Sequence, residues 1–281
     1  MRFEEYRLEN AHGGVSIRSY HSTVEPQTRP YRAHHHTECE ISLFIEGEGV
    51  YTVGDKVYPY AAGDVFLFGS NEAHSVTEIG THTHILNIHF EPRLLWEHPE
   101  NRGLLALFTA RRETYTHRFA RDGILKALLL EAEKELKEKR PCYALAAQNA
   151  LLSALLHLIR AYDLTREEEE PLTAATTRGL KDAVDFIEAN IENKLTLADI
   201  AARAHMAPTY FSAMFKRYNG ISPWDYIIIK RVERAIEMLR STDMTKLEIA
   251  ERCGFSGSSN FYKAFFKVTG KRPGDYAKAE R

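Results

Sequence analysis

The C-terminal third of this 281-residue chain repeats itself after about fifty residues. The two copies match first at a shift of 49 residues and then, after one extra residue, at a shift of 50. The matched pairs are Ile200 with Ile249, Ala201 with Ala250, Arg203 with Arg252, Phe211 with Phe261, Phe215 with Phe265, Gly220 with Gly270, Pro223 with Pro273 and Tyr226 with Tyr276. A repeat of this length indicates one supersecondary unit that is used twice. The structure of one unit therefore constrains the whole segment.

Each unit carries the signals of a helix, a turn and a second helix. The motifs Thr196-x-x-Asp199 and Thr245-x-x-Glu248 offer a side-chain oxygen to the N–H groups at a helix start, with an acid in the first turn. Gly254 suits a left-handed conformation in the turn that follows the first helix of the second unit. His205 lies in the corresponding turn of the first unit. Pro208 suits the first position of the helix that follows.

The second helix of each unit has apolar residues at i, i+4 and i+7, which predicts one buried face. These residues are Phe211, Phe215 and Tyr218 in the first unit and Phe261, Phe265 and Val268 in the second. The other faces are small, polar or basic, and a helix of this kind fits the major groove of B-DNA. The candidate DNA-contacting residues are Thr209, Ser212, Ala213, Lys216 and Arg217, followed by Ser258, Ser259, Asn260, Tyr262, Lys263 and Lys267.

The charge of the chain separates by sign along its length. Residues 1–175 carry 19 Lys and Arg against 26 Asp and Glu, whereas residues 176–281 carry 18 against 13, a net charge of +5. A basic segment favours a polyanionic partner. Between the repeats, residues 226–240 predict a helical spacer of roughly 21 Å, which would bring the two recognition helices near one turn of DNA, about 34 Å. The alternative is a plain helical bundle with a solvated basic surface.

These residues resemble the C-terminal DNA-binding domain of the AraC family of bacterial transcription regulators. The resemblance covers about residues 176–279 and is most specific at Cys253-Gly254-Phe255-Ser256 and at Gly270-x-x-Pro273-x-x-Tyr276. It implies a seven-helix double helix-turn-helix domain that binds promoter DNA. Ala213 and Phe266 depart from the family pattern, because basic residues are frequent at both positions. Phe266 is expected either to contact a thymine methyl group or to pack against a neighbouring helix.

Residues 15–90 alternate apolar and polar stretches in short runs between glycine-containing turns. This pattern favours an antiparallel sandwich or barrel. Within it, His34, His36 and Glu40 have even spacing, so they share one face if this strand is regular, and His35 faces away. The three side chains are therefore candidates for one point inside the barrel.

Later strands add candidates to the same interior. The strand that follows Gly63-Asp64 leads to His74. In the strand at residues 81–90, His82 and His84 share one face and Asn87 shares the other with His89, so at most one pair points inward. We assign Asn87 to the pocket and interpret the three histidines as surface or rim residues.

Residues 34–47 resemble the first motif of cupins, which are small double-stranded β-helix barrels. The leading glycine of that motif is missing, and the second cupin motif is matched only at Gly63 and His74. The resemblance implies a divalent metal ion, Zn, Ni, Mn or Fe. The implied ligands are His34, His36, Glu40 and His74. Alternatively, the same residues and Asn87 line a polar pocket, in which the imidazoles and the carboxylate hydrogen-bond a hydroxyl-rich ligand or each other without metal.

Two helices are predicted within residues 122–162, divided by Pro141. The first has one apolar stripe, made of Leu125, Leu128, Leu129, Ala132 and Leu136. The second has two apolar sides. One side consists of Leu145, Leu152, Leu156 and Ile159, and the other of Leu151, Leu155 and Leu158. Two apolar sides need two packing partners, and one of them is either the same helix of a second subunit or another part of the same chain. The family resemblance favours the dimer.

The chain is thus predicted to be an α+β protein with two domains. Residues 1–162 form a cupin-like barrel with a helical hairpin for effector binding and dimerisation, residues 163–177 an acidic linker, and residues 178–281 an all-α double helix-turn-helix domain. Three cysteines about a hundred residues apart argue against a disulfide framework. A membrane span requires an apolar run of roughly 18 residues, and we expect no such span in this chain. We therefore expect a cytoplasmic protein without a membrane partner.

The combined expectation is a ligand-responsive transcription regulator and not an enzyme. Its effector is a small polar metabolite, and the resemblance alone implies a sugar. The other expected partners are double-stranded promoter DNA, a second copy of the chain and, if the protein is an activator, RNA polymerase. Two alternatives stay open: a metal-dependent cupin enzyme, and a constitutive DNA-binding protein whose barrel is a vestigial scaffold.

Overall fold

The computed structural model describes residues 4–9, 15–26, 33–109, 116–164 and 173–276. They form two compact units: the first contains residues 4–33 and 38–164, and the second contains residues 34–37 and 173–276. The strands of the described residues all lie in the first unit, and the second is helical. The predicted two-domain α+β class is therefore confirmed.

The first unit contains two antiparallel sheets. Their strands are β1 (Glu5–Glu9), β2 (Val15–Val24), β3 (Cys39–Glu46), β4 (Glu48–Val53), β5 (Lys56–Ala61), β6 (Val65–Phe68), β7 (His74–Ile79), β8 (Thr83–Phe90) and β9 (Arg118–Phe119). The strand orders are β1-β2-β8-β3-β6-β9 and β5-β4-β7. A mainly aromatic core unites side chains of both sheets, among them Phe44, Tyr51, Tyr60, Phe66 and Phe68. The predicted antiparallel barrel is thus observed.

Strand β3 is buried on both faces, and the two faces differ in chemistry. Because side chains alternate along a strand, Glu40 and Ser42 point to the same side as the core residue Phe44. Ile41 and Leu43, both fully buried, point to the other side. This strand therefore carries polar groups into the interior of the barrel beside the aromatic core.

The segment before β3 differs from its prediction. Strand β3 begins at Cys39, so His34 and His36 precede the strand and only Glu40 lies on it. The partner strand explains this start, since β8 ends at Phe90, opposite Cys39. In the same way, the strand after Gly63-Asp64 is the short β6, and His74 is the first residue of the next strand.

Two antiparallel helices follow the barrel, after the short helices α1 (Arg93–Trp96) and α2 (Ala106–Thr109) and the 3-10 helix Pro99–Leu105. They are α3 (Gly123–Glu138) and α4 (Tyr143–Ala161), with Pro141 between them as predicted. Asp122 caps α3 by accepting the backbone N–H groups of Ile124 and Leu125. Helix α3 contacts β1 and β2, which joins the hairpin to the barrel.

Helix α4 corrects one expectation. By length and composition it could cross a membrane, since a stretch of 18 of its 19 residues has a mean hydropathy of 1.3. Its alanines and leucines raise that mean even though Asn149 and His157 interrupt the apolar run. One such helix is weak evidence for a span, because the core helix of a soluble protein passes the same test. Here one side of α4 packs against α3, with Leu151, Leu155 and Leu158 buried.

The second unit is built from six α-helices and one 3-10 helix in the described residues. They are α5 (Ala174–Ala189), α6 (Leu197–Arg203), α7 (Pro208–Asn219), α8 (Pro223–Ser241), α9 (Lys246–Arg252), α10 (Ser258–Thr269) and the 3-10 helix Pro273–Tyr276. The predicted boundary at residue 178 lies inside α5, which Thr173 caps by accepting the N–H of Thr176.

The predicted helix-turn-helix signals are all used. Thr196 caps α6 and Thr245 caps α9, the latter in a reciprocal capping box with Glu248. Pro208 is the first residue of α7, and Gly254 has a positive φ of 79° in the turn after α9. The two predicted apolar stripes are buried, namely Phe211, Phe215 and Tyr218 on α7 and Phe261, Phe265 and Val268 on α10.

Candidate functional site

A buried carboxylate lies between two buried histidines inside the barrel. Oε2 of Glu40 lies 3.2 Å from Nε2 of His74 and 3.1 Å from Nε2 of His89. The sheet brings them together, because Glu40 and His89 are cross-strand partners of β3 and β8, and His74 begins β7. Glu40 and His74 were both predicted for this site.

The orientation of His74 is fixed by its backbone partner. Nδ1 of His74 lies 2.7 Å from the carbonyl oxygen of Glu72. A carbonyl oxygen only accepts, so Nδ1 carries a hydrogen, and Nε2 of the neutral ring presents a lone pair toward Glu40. Two such acceptors attract each other only when a proton or a cation lies between them. The ring of Phe68, stacked at 4.4 Å on His74, holds this geometry.

His89 corrects the sequence analysis, which placed it at the surface or rim. The side chain is 2% exposed and shares the interior with Asn87. Nη2 of Arg18 lies 3.0 Å from Nδ1 of His89, and a guanidinium only donates. Nδ1 is therefore the acceptor, and in the neutral ring Nε2 carries the hydrogen that points to Glu40.

Small polar side chains extend the cluster. The hydroxyl of Ser42 donates to the carboxylate of Glu40 and lies 3.1 Å from Oδ1 of Asn87. The amide of Asn87 donates to Oγ of Ser22 at 2.9 Å. The hydroxyl of Tyr20 lies 3.0 Å from Nε2 of His89; removal from water, and then the charge of Glu40, raise the pKa of Tyr20 and keep it a neutral phenol. Ser22, Ser42 and Tyr20 carried no sequence signal that singled them out.

The four residues expected to hold a metal ion converge in space. One nitrogen or oxygen atom from each lies within 4.8 Å of those of the others, namely His34, His36, Glu40 and His74. Three of them are buried and His34 is exposed. Bonds of about 2 Å to a tetrahedral ion place ligand atoms roughly 3.3 Å apart, close to the 3.2 Å that separates Oε2 of Glu40 from Nε2 of His74. The mixed nitrogen and oxygen set and the lone pair of His74 fit a divalent metal.

A second group of possible ligands contains His36, Glu38 and His89. Here a cationic side chain is already present, because Nη2 of Arg18 lies 3.3 Å from Oε1 of Glu38 and 3.0 Å from His89. The guanidinium supplies the positive charge that this carboxylate needs when it is buried. The donor set around Glu40 and His74 is therefore the better metal site.

A further histidine, His117, stabilises the cluster through Glu72, and the sequence analysis missed it. Nε2 of His117 lies 3.0 Å from Oε1 of Glu72, and Nδ1 lies 2.9 Å from the hydroxyl of Tyr58. The other carboxylate oxygen of Glu72 accepts the N–H of Gly69 at 2.9 Å. Glu72 is thus held at both oxygens, which fixes the carbonyl that orients His74.

Two histidines on the other side of β2 and β8 form a separate cluster. Nδ1 of His21 lies 2.7 Å from Nε2 of His84, and Nε2 of His21 lies 2.5 Å from Oε1 of Glu133 on α3. Desolvation, and then the neighbouring His21, lower the pKa of His84. His82 is exposed and pairs with Glu25, as the surface interpretation expects.

The predicted DNA-contacting residues lie on the outward faces of α7 and α10. On α7, Ser212 is partly buried, and Thr209, Ala213, Lys216 and Arg217 are exposed. On α10, all six are exposed, namely Ser258, Ser259, Asn260, Tyr262, Lys263 and Lys267. Each set lies outside the buried stripe of its helix, so all of these residues except Ser212 are exposed.

Comparisons with known proteins match both parts of the chain. A family model described as an AraC-like ligand binding domain matches residues 17–155, and a helix-turn-helix domain model matches residues 200–279. The HTH-type transcriptional regulator YfiF of Bacillus subtilis (strain 168) is 24% identical, over 86% of this chain and 77% of that protein. The melibiose operon regulatory protein of Escherichia coli (strain K12) is 23% identical, over 88% and 83%.

A solved structure has the same overall fold. It is the unsaturated fatty acid bound wild-type ToxT from Vibrio cholerae strain SCE256, with a TM-score of 0.58 and 12% identity. The match covers 96% of each chain. At this identity the likeness concerns the fold alone.

Proposed function

Because the chain belongs to the AraC family of transcription regulators, we propose that α7 and α10 bind specific promoter DNA and that a small polar effector in the barrel controls this binding. The observation that carries the proposal is the pairing of two features in one chain. One is a repeated helix-turn-helix whose second helices present exposed polar and basic residues. The other is a barrel with a buried polar cluster around Glu40.

The DNA-binding part of the proposal rests on charge and exposure. Lys216 and Arg217 lie in the last turn of α7 and Lys267 lies in the last turn of α10, where they suit phosphates beside a groove-bound helix. The polar residues nearer the start of each helix suit base edges. Duplexes enriched from a randomised library by the full-length protein are the natural test.

The salt dependence of that binding discriminates specific surface contacts from general charge. Lys216→Ala and Arg217→Ala are each expected to weaken binding to all duplexes and to reduce the slope of log affinity against log salt by about 1. Lys126→Ala, an equally exposed lysine on α3, is the matched control and should leave both quantities unchanged. Equal effects of all three variants would contradict the proposed surface.

The barrel is proposed to hold a divalent metal ion, Zn, Ni, Mn or Fe, through His34, His36, Glu40 and His74. The lone pair that His74 presents to Glu40 supports this assignment, since a metal cation satisfies both acceptors. When bound, the ion would supply a positive centre that an oxygen-rich effector can coordinate. Asn87 and Ser42 would then orient the hydroxyl groups of that effector.

A sugar is the effector class that the interior favours. Hydroxyl, amide and imidazole groups surround Glu40, and such groups pair with the hydroxyls of a carbohydrate. One relative is named for the melibiose operon. A fatty acid is the second candidate, because the ToxT structure contains one and the aromatic core beside the cluster is apolar. The polar cluster supports the sugar.

The proposed protein is a regulator without catalysis, active in the cytoplasm. A metal-dependent enzyme and a constitutive DNA-binding protein are its rivals. If it activates transcription, RNA polymerase is a further partner. Turnover of a small substrate only in the presence of metal would support the enzyme, and identical footprints with and without every effector tested would support the constitutive protein.

A dimer through α4 completes the proposal. Leu145 and Leu156 remain 60% and 38% exposed while the opposite side of the same helix packs within the chain. Leu152 lies between them and Ile159 follows Leu156 on the same face, and both are only partly buried. Apart from Asn149, this exposed face is apolar, and such a face suits its own copy across a two-fold axis.

The first experiment measures thermal melting of the purified protein with candidate sugars, fatty acids and metals. A ligand that binds the folded state raises the melting temperature by mass action. His34→Ala and His74→Ala are expected to lose that rise, whereas His82→Ala, an exposed histidine paired with Glu25, should keep it. A rise that all three variants keep would place the effector elsewhere.

A further inference from the structure

The two DNA-facing helices differ in chemistry although the repeat aligns them. At a shift of 50 residues, Tyr262 corresponds to Ser212 and Phe266 corresponds to Lys216. The rings of Tyr262 and Phe266 are 43% and 50% exposed. Helix α10 thus presents two aromatic rings where α7 presents a hydroxyl and an ammonium group.

The two rings form one surface. Positions i and i+4 are neighbours on a helix, so Tyr262 and Phe266 lie side by side. Both positions lie outside the buried stripe that contains Phe261 and Phe265. The ring of Tyr262 contacts that of Phe261 edge-on, with 5.5 Å between the ring centroids, and the rest of it is exposed. The exposed rings are therefore turned outward, on the face that also carries Ser259 and Lys263.

The surroundings of this apolar surface are basic. Lys263 and Lys267 are exposed on the same helix, and the exposed Lys271 and Arg272 follow its end. Nζ of Lys267 lies 3.6 Å from Oδ1 of Asp225, an exposed pair that a phosphate can replace. An apolar strip between cations matches the major groove, where phosphates line both edges and the C5-methyl group of thymine is the apolar feature of the floor. An aromatic ring against that methyl group gains contact that cytosine, adenine and guanine do not offer.

We propose that Tyr262 and Phe266 read thymine methyl groups in the groove segment bound by α10. Helix α7 reads its own segment through hydrogen bonds of Thr209 and Ser212 and through Lys216. The operator is then asymmetric in chemistry, with essential thymines facing α10. This inference rests on the proposed DNA binding and assigns the base preference of one of its two helices.

The test replaces thymine by deoxyuridine, which removes only the methyl group. The full-length protein first selects duplexes from a randomised library, and each thymine of the selected sequence is then replaced singly. Loss of one buried methyl group is expected to weaken binding about fourfold. The sensitive thymines should cluster in one of the two groove segments.

Protein variants connect the sensitive thymines to the two rings. For each of Phe266→Ala and Tyr262→Ala, we expect one thymine position at which the thymine duplex and the deoxyuridine duplex are bound with equal affinity. If Phe266→Ala melts at a lower temperature than the wild type, Phe266→Lys is the second variant. It carries the lysine that α7 has at the corresponding position, Lys216. Lys216→Ala is the matched control: it should weaken both duplexes alike and keep the fourfold difference.

The possible failures are distinguishable. If no duplex is enriched, the proposed DNA binding itself is wrong, and this inference falls with it. If duplexes are enriched but no deoxyuridine matters, or if its effect is the same in every folded aromatic variant, the thymine contact alone is wrong. If Phe266→Ala binds DNA normally but loses transcription with added RNA polymerase, the rings contact a protein instead, which also overturns the inference.

Discussion

Nε2 of His74 and Oε2 of Glu40 lie 3.2 Å apart, while the other ring nitrogen of His74 is bound to the backbone carbonyl of Glu72. This relationship makes the inner nitrogen an acceptor that faces another acceptor. Either a proton or a cation must therefore reside between the two atoms. The barrel is built around a position that attracts positive charge.

The first prediction concerns Glu40→Gln. The amide can donate to Nε2 of His74, so the metal-free variant should melt close to the wild type, whereas the rise in melting temperature caused by the metal should be lost. Thermal melting with and without Zn, Ni, Mn or Fe measures both. Glu46→Gln, an exposed glutamate on the same strand, is the control. A metal-induced rise that survives in Glu40→Gln would exclude Glu40 as a ligand.

The second prediction concerns His117→Ala. Removing this ring leaves Glu72 and Tyr58 without their shared partner, which should cost about 1–3 kcal/mol of unfolding free energy. Since Glu72 orients His74, metal affinity should also fall by about 10–100-fold. Denaturant unfolding and calorimetric titration measure the two effects. His98→Ala, at an exposed position, should change neither.

The residues around His117 show why only part of this site could be predicted from the sequence. Parity along a strand placed Asn87 and His89 on one face, but which face is interior depends on packing. In the structure both faces of β8 are buried, since Leu86 and Ile88 fill the face opposite Asn87 and His89. His117 lies 43 residues after His74, directly before the two-residue strand β9, and no local pattern connects the two histidines.

The third prediction concerns the pH dependence of the hairpin. Partial burial alone would raise the pKa of Asp122, but the N–H of Leu125, followed by His157 and Tyr162, lowers it overall. A carboxyl whose pKa is lower in the folded state adds stability above its unfolded pKa of about 3.9 and loses it as the pH falls through the folded value.

Asp122→Asn keeps a side chain that caps helices well and removes only the charge. We therefore expect this variant to be less stable than the wild type by about 1–2 kcal/mol at neutral pH. The difference should shrink as the pH falls below about 4, where the wild-type carboxyl also becomes neutral. Denaturant unfolding of both proteins across this range measures it. A difference that is constant with pH would contradict the role assigned to the charge.

The fourth prediction concerns the proposed dimer. The double variant Leu145→Ser/Leu156→Ser removes two exposed apolar side chains of α4, each worth roughly 1.5–3 kcal/mol when buried. In a two-fold dimer both copies lose them, so the variant should sediment as a monomer at concentrations where the wild type is a dimer. Ile124→Ser, an exposed apolar residue on α3, is the control. Wild-type protein that sediments as a monomer would contradict the dimer.

The helical unit was more predictable than the barrel because its signals are local. Thr196 and Thr245 each cap a helix three residues from an acid, and the aromatic stripes need only the period of one helix. The exposure of Phe266 was left open between two outcomes, since a single helix does not show what lies beyond its own face. The structure places that ring half exposed, which favours a partner outside the fold.

The last prediction compares the two turns of the repeat. Gly254 and His205 occupy corresponding positions with φ values of 79° and 54°, but a Cβ at Gly254 would lie 2.7 Å from the carbonyl oxygen of Ile191. Gly254→Ala should therefore cost more than about 1–2 kcal/mol, the strain of a left-handed residue alone. His205→Gly relieves that strain and should stabilise the protein or leave it within about 1 kcal/mol. Denaturant unfolding followed by far-UV circular dichroism measures both, and equal destabilisation by the two changes would contradict the difference between the turns.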